Sequence, residues 1–302
     1  MPNAQNSSRR LAFIPEVTFG VTPTTPQTQL LEFVDFTGEL ASETLTSNSI
    51  NSNRQVTYAR RGNKSVAGDL TVELVPDNLD FALEAVMGGT WATNELNNGN
   101  TKRSFTFEEG FTDIAQYRSF TGTLFNTVSL EANTSGLVQA TFGLIGAGAT
   151  NFSGTQLDTT PTSVTKKPVF YHEGGTFSEG GTTLAYLSAI SIELSNNAAG
   201  NYALGNTAFH DISYGRIDVT GTVTAFFPSA ALYTKFYNNT ATNLEFTLSA
   251  DGGETLTFKL PDIRYTSANL QRGSDGPVTI ELAFTALYDT TEGTTLQITR
   301  SA

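Results

Sequence analysis

The alternation of aliphatic and polar residues from Val66 to Gly89, VAGDLTVELVPDNLDFALEAVMGG, predicts a complete strand, turn and helix. Leu70, Val72 and Leu74 alternate with Asp69, Thr71 and Glu73, so a strand here sends its aliphatic side chains to one face and its polar ones to the other. Pro76 ends that strand by removing a ladder donor, and Asp77, with Asp80 three residues on, supplies the carboxylates expected at a helix N-terminus. Leu79, Ala82, Leu83 and Val86 recur at helical spacing, and Gly88 and Gly89 provide the left-handed residue that closes a helix. Burial of Leu79, Leu83 and Val86 contributes about 1.5–3 kcal/mol each, more than intrinsic propensity gives so short a helix. The helix is therefore expected to be held by packing against a sheet.

A degenerate copy begins at Val219, VTGTVTAFFPSAALYTKFYNNT. Val223, Ala225 and Phe227 alternate before Pro228, Ser229 takes the place of Asp77 as the cap, and Leu232 and Phe236 form the apolar stripe. Gly68 matches Gly221 and Pro76 matches Pro228, at offsets of 153 and 152, about half of the 302-residue chain. A tandem duplication follows.

Around these two anchors the chain divides as follows. Residues 1–30 carry Arg9, Arg10 and three prolines in LAFIPEVTFGVTPTTPQTQ, which suits an extended arm. Residues 31–147 form the first unit, opening with an alternating strand from Leu31 to Leu40 and then a long loop or loose hairpin at 41–65. Asn98-Gly99 is placed as a hairpin turn ahead of Phe105 and Phe107, and Asp251-Gly252-Gly253 as its counterpart between Leu244–Leu248 and Leu256–Leu260. Thr112-Asp113-Ile114 echoes Pro261-Asp262-Ile263. Each half closes on an alternating strand, Val138–Leu144 and Val278–Phe284. Residues 148–167, rich in Thr, Ser and Gly, are the linker, and 168–302 the second unit. The predicted class is mainly β: two tandem β-sandwich or half-barrel units, each with one short flanking helix, able to close their free strand edges into a multi-chain barrel on assembly.

Composition narrows what such a fold can do. With no Cys there is no disulfide framework and no thiolate nucleophile, so folding does not depend on an oxidising compartment. A net charge of −12 and a pI near 4.6 argue against a surface built to hold nucleic acid or anionic lipid. No stretch approaches the ~18 apolar residues of a membrane span, and the polar opening MPNAQNSSRR is not followed by a signal-peptide core, so the chain reads as soluble and unexported. Against this acidic background the 41–65 loop is locally basic: Arg54, Arg60, Arg61 and Lys64 stand with Tyr58 against Glu43 alone.

Signals of catalysis are nearly absent. The two histidines, His172 and His210, have no ligand spacing around them. Asp77 and Asp80 are explained as helix caps before any acid–base role is needed. Gly62-Asn63-Lys64-Ser65 lacks the earlier glycine and the following helix of a phosphate loop, and the Asn-X-Ser/Thr triplets mean nothing in an unexported chain. No enzyme, cofactor or metal is expected.

Three stretches carry a resemblance. AFIPEVTFGVTPTTP, RRGNKSVAGDLTVELVPDNLDFALEAVMGG and SFTFEEGFTDIAQYRSFTGTLFNTVSLEANTSGLVQATFGLIG together resemble the tail tube (major tail) proteins of long-tailed bacteriophages, over residues 10–147. The second half keeps the order of elements but has Asn196 to Ala208, without a basic residue, where the first has its loop. The resemblance implies a structural virion protein whose rings stack into the hollow tail tube, a conduit for DNA during ejection. It also implies assembly in the host cytoplasm, a tape-measure protein in the lumen, and terminator and tip proteins at the ends.

On this reading three chains complete a pseudo-sixfold ring, and the acidic wall repels passing DNA. Asp69, Glu73, Glu131 and Glu281 are the candidates for the lumen, and Arg54, Tyr58, Arg60, Arg61 and Lys64 for contact between rings. The competing class is a monomeric β-sandwich binding module, an adhesin or carbohydrate binder. A sugar platform wants several exposed aromatics, whereas Trp91 is the only tryptophan.

Overall fold

The alternating segments are strands in the structure, a computed structural model that describes residues 3–50, 52–184, 186–273 and 276–301. The first half contributes β1 (Arg9–Pro15), β2 (Gln29–Leu31), β3 (Asp35–Phe36), β4 (Glu39–Thr46), β5 (Ala59–Glu73), α1 (Asp80–Met87), β6 (Glu95–Asn97), β7 (Phe105–Phe111), β8 (Gln116–Asn133), β9 (Gln139–Gly146) and β10 (Gly148–Ala149). The second contributes β11 (Tyr171–Glu179), β12 (Thr182–Thr183), β13 (Leu187–Ser195), β14 (Ala199–Tyr202), β15 (Phe209–Ser213), β16 (Asp218–Phe226), α2 (Ala231–Tyr237), β17 (Thr242–Ser249), β18 (Thr255–Gln271), β19 (Thr279–Leu287) and β20 (Gln297–Arg300). The protein is mainly β, with antiparallel sheets and two short helices.

Strand β5 buries Leu70 and Val72, with Leu74 just beyond it, and exposes Asp69 and Glu73, as its alternation requires. The helix after it starts later than expected. Asp77 sits in the left-handed region at φ 62°, inside a turn that runs from Pro76, and Leu79 occupies the N-cap of α1 with no side-chain cap. The Asp77 carboxylate goes instead to Lys167 and Arg300. In the second half Ala230 occupies the N-cap of α2, with Ser229 Oγ one position ahead and 3.4 Å from the amide of Ala231. At the other end of α1, Gly88 adopts φ 65° as expected.

Asn98-Gly99 is not a hairpin turn. It lies over the end of α1, where Gly99 and Thr101 donate their amides to the open carbonyls of Met87 and Gly88. A Cβ on Gly88 would lie 2.6 Å from the Gly99 carbonyl oxygen, so the crossing requires glycine. The hairpin that matches β17–β18 is β7–β8, turning at Thr112–Ala115. Thr112-Asp113-Ile114 therefore does not correspond to Pro261-Asp262-Ile263, which lies inside β18.

The segment expected as an extended arm also contains regular structure. Arg9–Pro15 pairs with β7 along its whole length and buries Leu11, Ala12 and Phe13. Two arginines disguised this strand. Their partners Glu108 and Glu109 lie almost a hundred residues away, where Arg10 pairs with Glu108 and Arg9 with Glu109 at 2.9 Å. The strand expected over Leu31–Leu40 is broken into β2, β3 and the start of β4. Within the stretch expected as a long loop or loose hairpin, β4 is laid against β5, from Glu39 opposite Ala67 to Thr46 opposite Ala59.

The two halves share one order of strand pairing. In the first half the pairing order is β1, β7, β8, β9, β5, β4; in the second it is β11, β17, β18, β19, β16, β13. The bulges correspond as well. The β8–β9 register slips between Phe125 and Thr127, and the β18–β19 register between Tyr265 and Ser267. Both β8 and β18 are long strands that pair with one neighbour over their first part and another over their last, linking two layers around each half's core. In the first half that core is a cluster of phenyl rings, with Phe105, Phe107, Phe120 and Phe125 fully buried. Mostly aliphatic side chains fill the second, around a stacked Phe246–Phe258 pair.

The halves share one sheet. Strand β13 pairs with β16 on one side and with the last part of β8 on the other, from Ala189 opposite Asn133 to Ser195 opposite Thr127. Strands β4, β5, β9, β8, β13, β16, β19 and β18 thus make one continuous antiparallel run. Strand β20 closes a second seam, pairing with β18 and with β6. The segment from 148 begins as β10, which pairs with β8, and then follows the first half, where Asp158 accepts from the Thr28 amide and Thr162 exchanges backbone bonds with Thr28 and Leu30.

Candidate functional surface

Because side chains alternate across a strand, the continuous run presents one apolar and one polar face. Leu70, Phe142, Leu130, Ile192, Val223 and Leu282 lie on the apolar face and are buried. The polar face is built in cross-strand rows. One row runs from Glu73 through Gln139, Glu131, Ser191 and Thr222, and a second from Thr71 through Thr141, Ser129, Glu193 and Thr220. Neighbouring hydroxyls along these rows bond to each other, Thr71 to Thr141 at 3.1 Å and Ser191 to Thr222 at 2.8 Å. Asp69, Glu73, Glu131 and Glu281 all fall on this face, the first three exposed and Glu281 half-buried. Glu193 and Asp218 join them there, and Arg264 in β18 has its charge taken up by Asp262. The face is therefore a hydroxyl-rich surface with an excess of carboxylates.

The second surface is the hairpin of β4 and β5. Every residue of β4 is exposed, as are Arg54, Tyr58, Arg60 and Arg61, while Lys64 is half-buried at the base. Among the described residues no carboxylate pairs with any of these four cations. The equivalent hairpin of the second half, β14–β15, is bound down. Lys102 Nζ reaches Asp211 at 3.0 Å and the Ile212 carbonyl at 2.9 Å, Tyr202 donates its hydroxyl to the Lys64 carbonyl at 3.2 Å, and the Lys64 amide donates to Thr207 at 2.7 Å. The Lys102 ammonium holds the Asp211 carboxyl below its ordinary range.

The family model for phage tail tube proteins matches residues 6–286. The chain belongs to the phage tail tube protein family. No curated protein sequence matches it. The family is a structural one, which makes the tail tube protein a component of the virion tail.

Among the described residues no group of three His, Asp or Glu is placed to hold a metal ion, and no helix is long and apolar enough to cross a membrane. Asp77 and Asp80 share Arg300, whose guanidinium also lies 4.5 Å from the centre of the Trp91 ring. Burial nevertheless pushes the Asp80 carboxyl up, against the pull of Arg300. One face of the Trp91 ring is thus covered by a cation. Burial also drives the Tyr214 phenol up to about 12 and the Tyr265 phenol in the same direction, so both stay neutral.

Sequence reasoning found the four acids by alternation and missed Glu193 and Asp218. The signal for Glu193 was present in Leu187–Ser195, where Ile190, Ile192 and Leu194 alternate with Ser191 and Glu193. Asp218 stands at the first position of β16, before any alternation has begun.

Proposed function

We propose that this tail tube protein forms rings that stack into the hollow tail tube and conduct DNA during genome ejection, with the polar face of the continuous sheet toward the lumen. The observation that carries this reading is the run of eight strands with one face buried and the other made of hydroxyls and carboxylates. DNA presents one negative charge per ~1.7 Å, and a wall of like sign gives it no place to adhere. With a Debye length of ~8 Å at physiological salt, the repulsion acts only near the wall and leaves the axis free. The two halves, 31–147 and 168–302 joined through 148–167, serve as two tube domains, so that three chains complete a pseudo-sixfold ring. By family, the tape-measure protein occupies the lumen, terminator and tip proteins close the ends, and assembly takes place in the host cytoplasm.

The basic hairpin is the contact between rings, Arg54, Tyr58, Arg60, Arg61 and Lys64 meeting the acidic rim of the next ring. Exposed ion pairs give only about 0–1 kcal/mol each, but repetition around a ring adds them. Cryo-microscopy of assembled tubes tests the whole reading. Three chains per ring and Asp69, Glu73, Glu131 and Glu281 on an electronegative inner surface are expected; six chains with the second half outside, or a neutral or positive lumen, would refute it. Tubes of the Arg60→Glu, Arg61→Glu variant should be shorter, and those of the unsubstituted chain should shorten with salt.

A further inference from the structure

The basic hairpin leaves the sheet as a narrow ribbon. On its side away from β4, strand β5 pairs with β9 only from Val66 to Glu73, and from Ala59 to Ser65 that side meets no strand among the described residues. At ~3.3 Å per residue this stretch carries the tip about 20 Å from the last sheet pair, and a two-stranded ribbon has little stiffness of its own. Its weak point is near the base. The β4–β5 register slips between Ser42 and Thr44, so that Glu43 stands against Gly62 and Asn63 together, and a bulge of this kind is where a ribbon bends. A bend of about 10° there moves the tip by about 4 Å.

The pair just before the bulge is Ser42 with Lys64, and Lys64 turns both of its backbone groups away from β4. Its amide donates to the Thr207 carbonyl at 2.7 Å, and its carbonyl accepts the Tyr202 hydroxyl at 3.2 Å. Both partners belong to β14–β15 and its turn, which is rooted in the first half. Asn196, buried at the root, donates its side-chain amide to the Val86 carbonyl of α1 at 2.9 Å, and Asn126 of β8 accepts the Ala198 amide at 2.8 Å. Midway along, Lys102 holds Asp211 and the Ile212 carbonyl. Inside the hairpin the Phe209 ring lies over Gly200, where a Cβ would come within 2.1 Å, and 4.8 Å from the Tyr202 ring, which it orients. We infer that β14–β15 is a brace that fixes the angle at which the basic hairpin leaves the sheet, with Tyr202 and Thr207 as positioning residues for the contact between rings. Root and tip both bear on the first half, and the tip is bonded beside the one place where the ribbon bends. The brace accounts for the difference between the equivalent hairpins, one basic and projecting, the other tied down and, from Asn196 to Ala208, without a basic residue. Braced hairpins present their tips at one angle, so their ordering cost falls on folding and not on stacking.

This inference rests on the reading of the basic hairpin as the contact between rings, and the absence of Cys lets the two be tested apart. Spin labels on Thr57→Cys with Gln139→Cys, and on Thr57→Cys with Thr220→Cys, report the hairpin's angle in the full chain below the concentration at which rings form. Lys64→Pro removes the amide that faces the brace and no bond to β4, and Lys64→Ala, which loses the same charge, is its control. Both label distances should be narrowly distributed in the unsubstituted chain and in Lys64→Ala, and should broaden by about 4 Å in Lys64→Pro. The Tyr202→Phe, Asp211→Asn variant loosens the brace from its own side, serves where Lys64→Pro fails to fold, and should broaden the same distances. Distances that stay narrow in the folded variants would overturn the brace and leave the ring contact standing. Tubes of Tyr202→Phe, Asp211→Asn, which keeps every basic residue of the hairpin, should be shorter. Tubes of full length despite broadened distances would overturn the positioning role; shortened Arg60→Glu, Arg61→Glu tubes beside them would show that the ring contact holds without it.

Discussion

The two halves place different chemistry at the same point of the same sheet. In the first, Glu109 of β7 stands opposite Arg118 of β8; in the second, the equivalent pair is Phe246 opposite Phe258. Glu109 is buried between two arginines, with Arg9 at 2.9 Å and Arg118 at 2.8 Å, and Arg118 continues to Glu39 at 2.8 Å. The phenyl rings stack at 4.7 Å with an interplanar angle of 7°. Each arrangement satisfies the strand pair, because a buried ion pair and an apolar pair of similar volume differ little in net stability. They differ in reach. The stacked rings continue an apolar row from Phe177 of β11 to Ile298 of β20, whereas the charged chain ties β1, β7 and β8 to the start of the edge strand β4.

That difference can be broken most forcefully at its centre. Glu109→Ala takes the shared carboxylate from between two guanidiniums, leaving Arg9 only the carboxylate of Asp35 and Arg118 only that of Glu39, and should cost up to about 3–5 kcal/mol, read as a lower denaturation midpoint. The Glu109→Phe, Arg118→Phe double variant, which copies the second half, should lose less than the single one, since Arg9 keeps Asp35 at 3.3 Å. A double variant at least as unstable as Glu109→Ala would mean that the two interiors are not interchangeable.

A smaller effect is expected where the hairpins diverge. Lys102→Ala removes the tie on β14–β15 but breaks a half-exposed pair, so it should cost only about 0–1 kcal/mol while raising amide exchange in residues 199–213. No change in exchange would mean that Tyr202 and Thr207 suffice to hold the hairpin.

The smallest effect is that of acid. The Arg118 hydrogen bond lowers the Glu39 carboxyl below its ordinary 4.5. A carboxylate with a depressed folded pKa adds stability above its unfolded value and loses it as pH falls through the folded one. Glu39 is mostly exposed, so its own protonation should contribute little to the global loss of stability in acid. Amide exchange of β4 should rise there, and that of the equivalent β13 should not.

How far the fold was legible follows from where each residue's partner lies. The β5–α1 unit and the β17–β18 hairpin could be read because their alternation and turn residues are local. Strand β1 could not, since Arg9 and Arg10 look solvated until Glu108 and Glu109 are brought beside them. The start of α1 was misplaced because Asp77 answers to Lys167 and Arg300, not to the helix amides. On the polar face, alternation placed four acids correctly on the non-core side of their strands, yet nothing in either strand announces that β8 will meet β13.

The seam formed by β20 also sets a pace. Gln297 bonds to Asn97 across 200 residues of chain, and β6 has no other strand partner among the described residues. Closing a loop of that length carries an entropic cost before any contact offsets it, and folds dominated by such distant pairings form in milliseconds to seconds. Until β20 arrives, β6 and the outer side of β18 stay open to any strand at hand, so the yield of native protein should fall as refolding concentration rises.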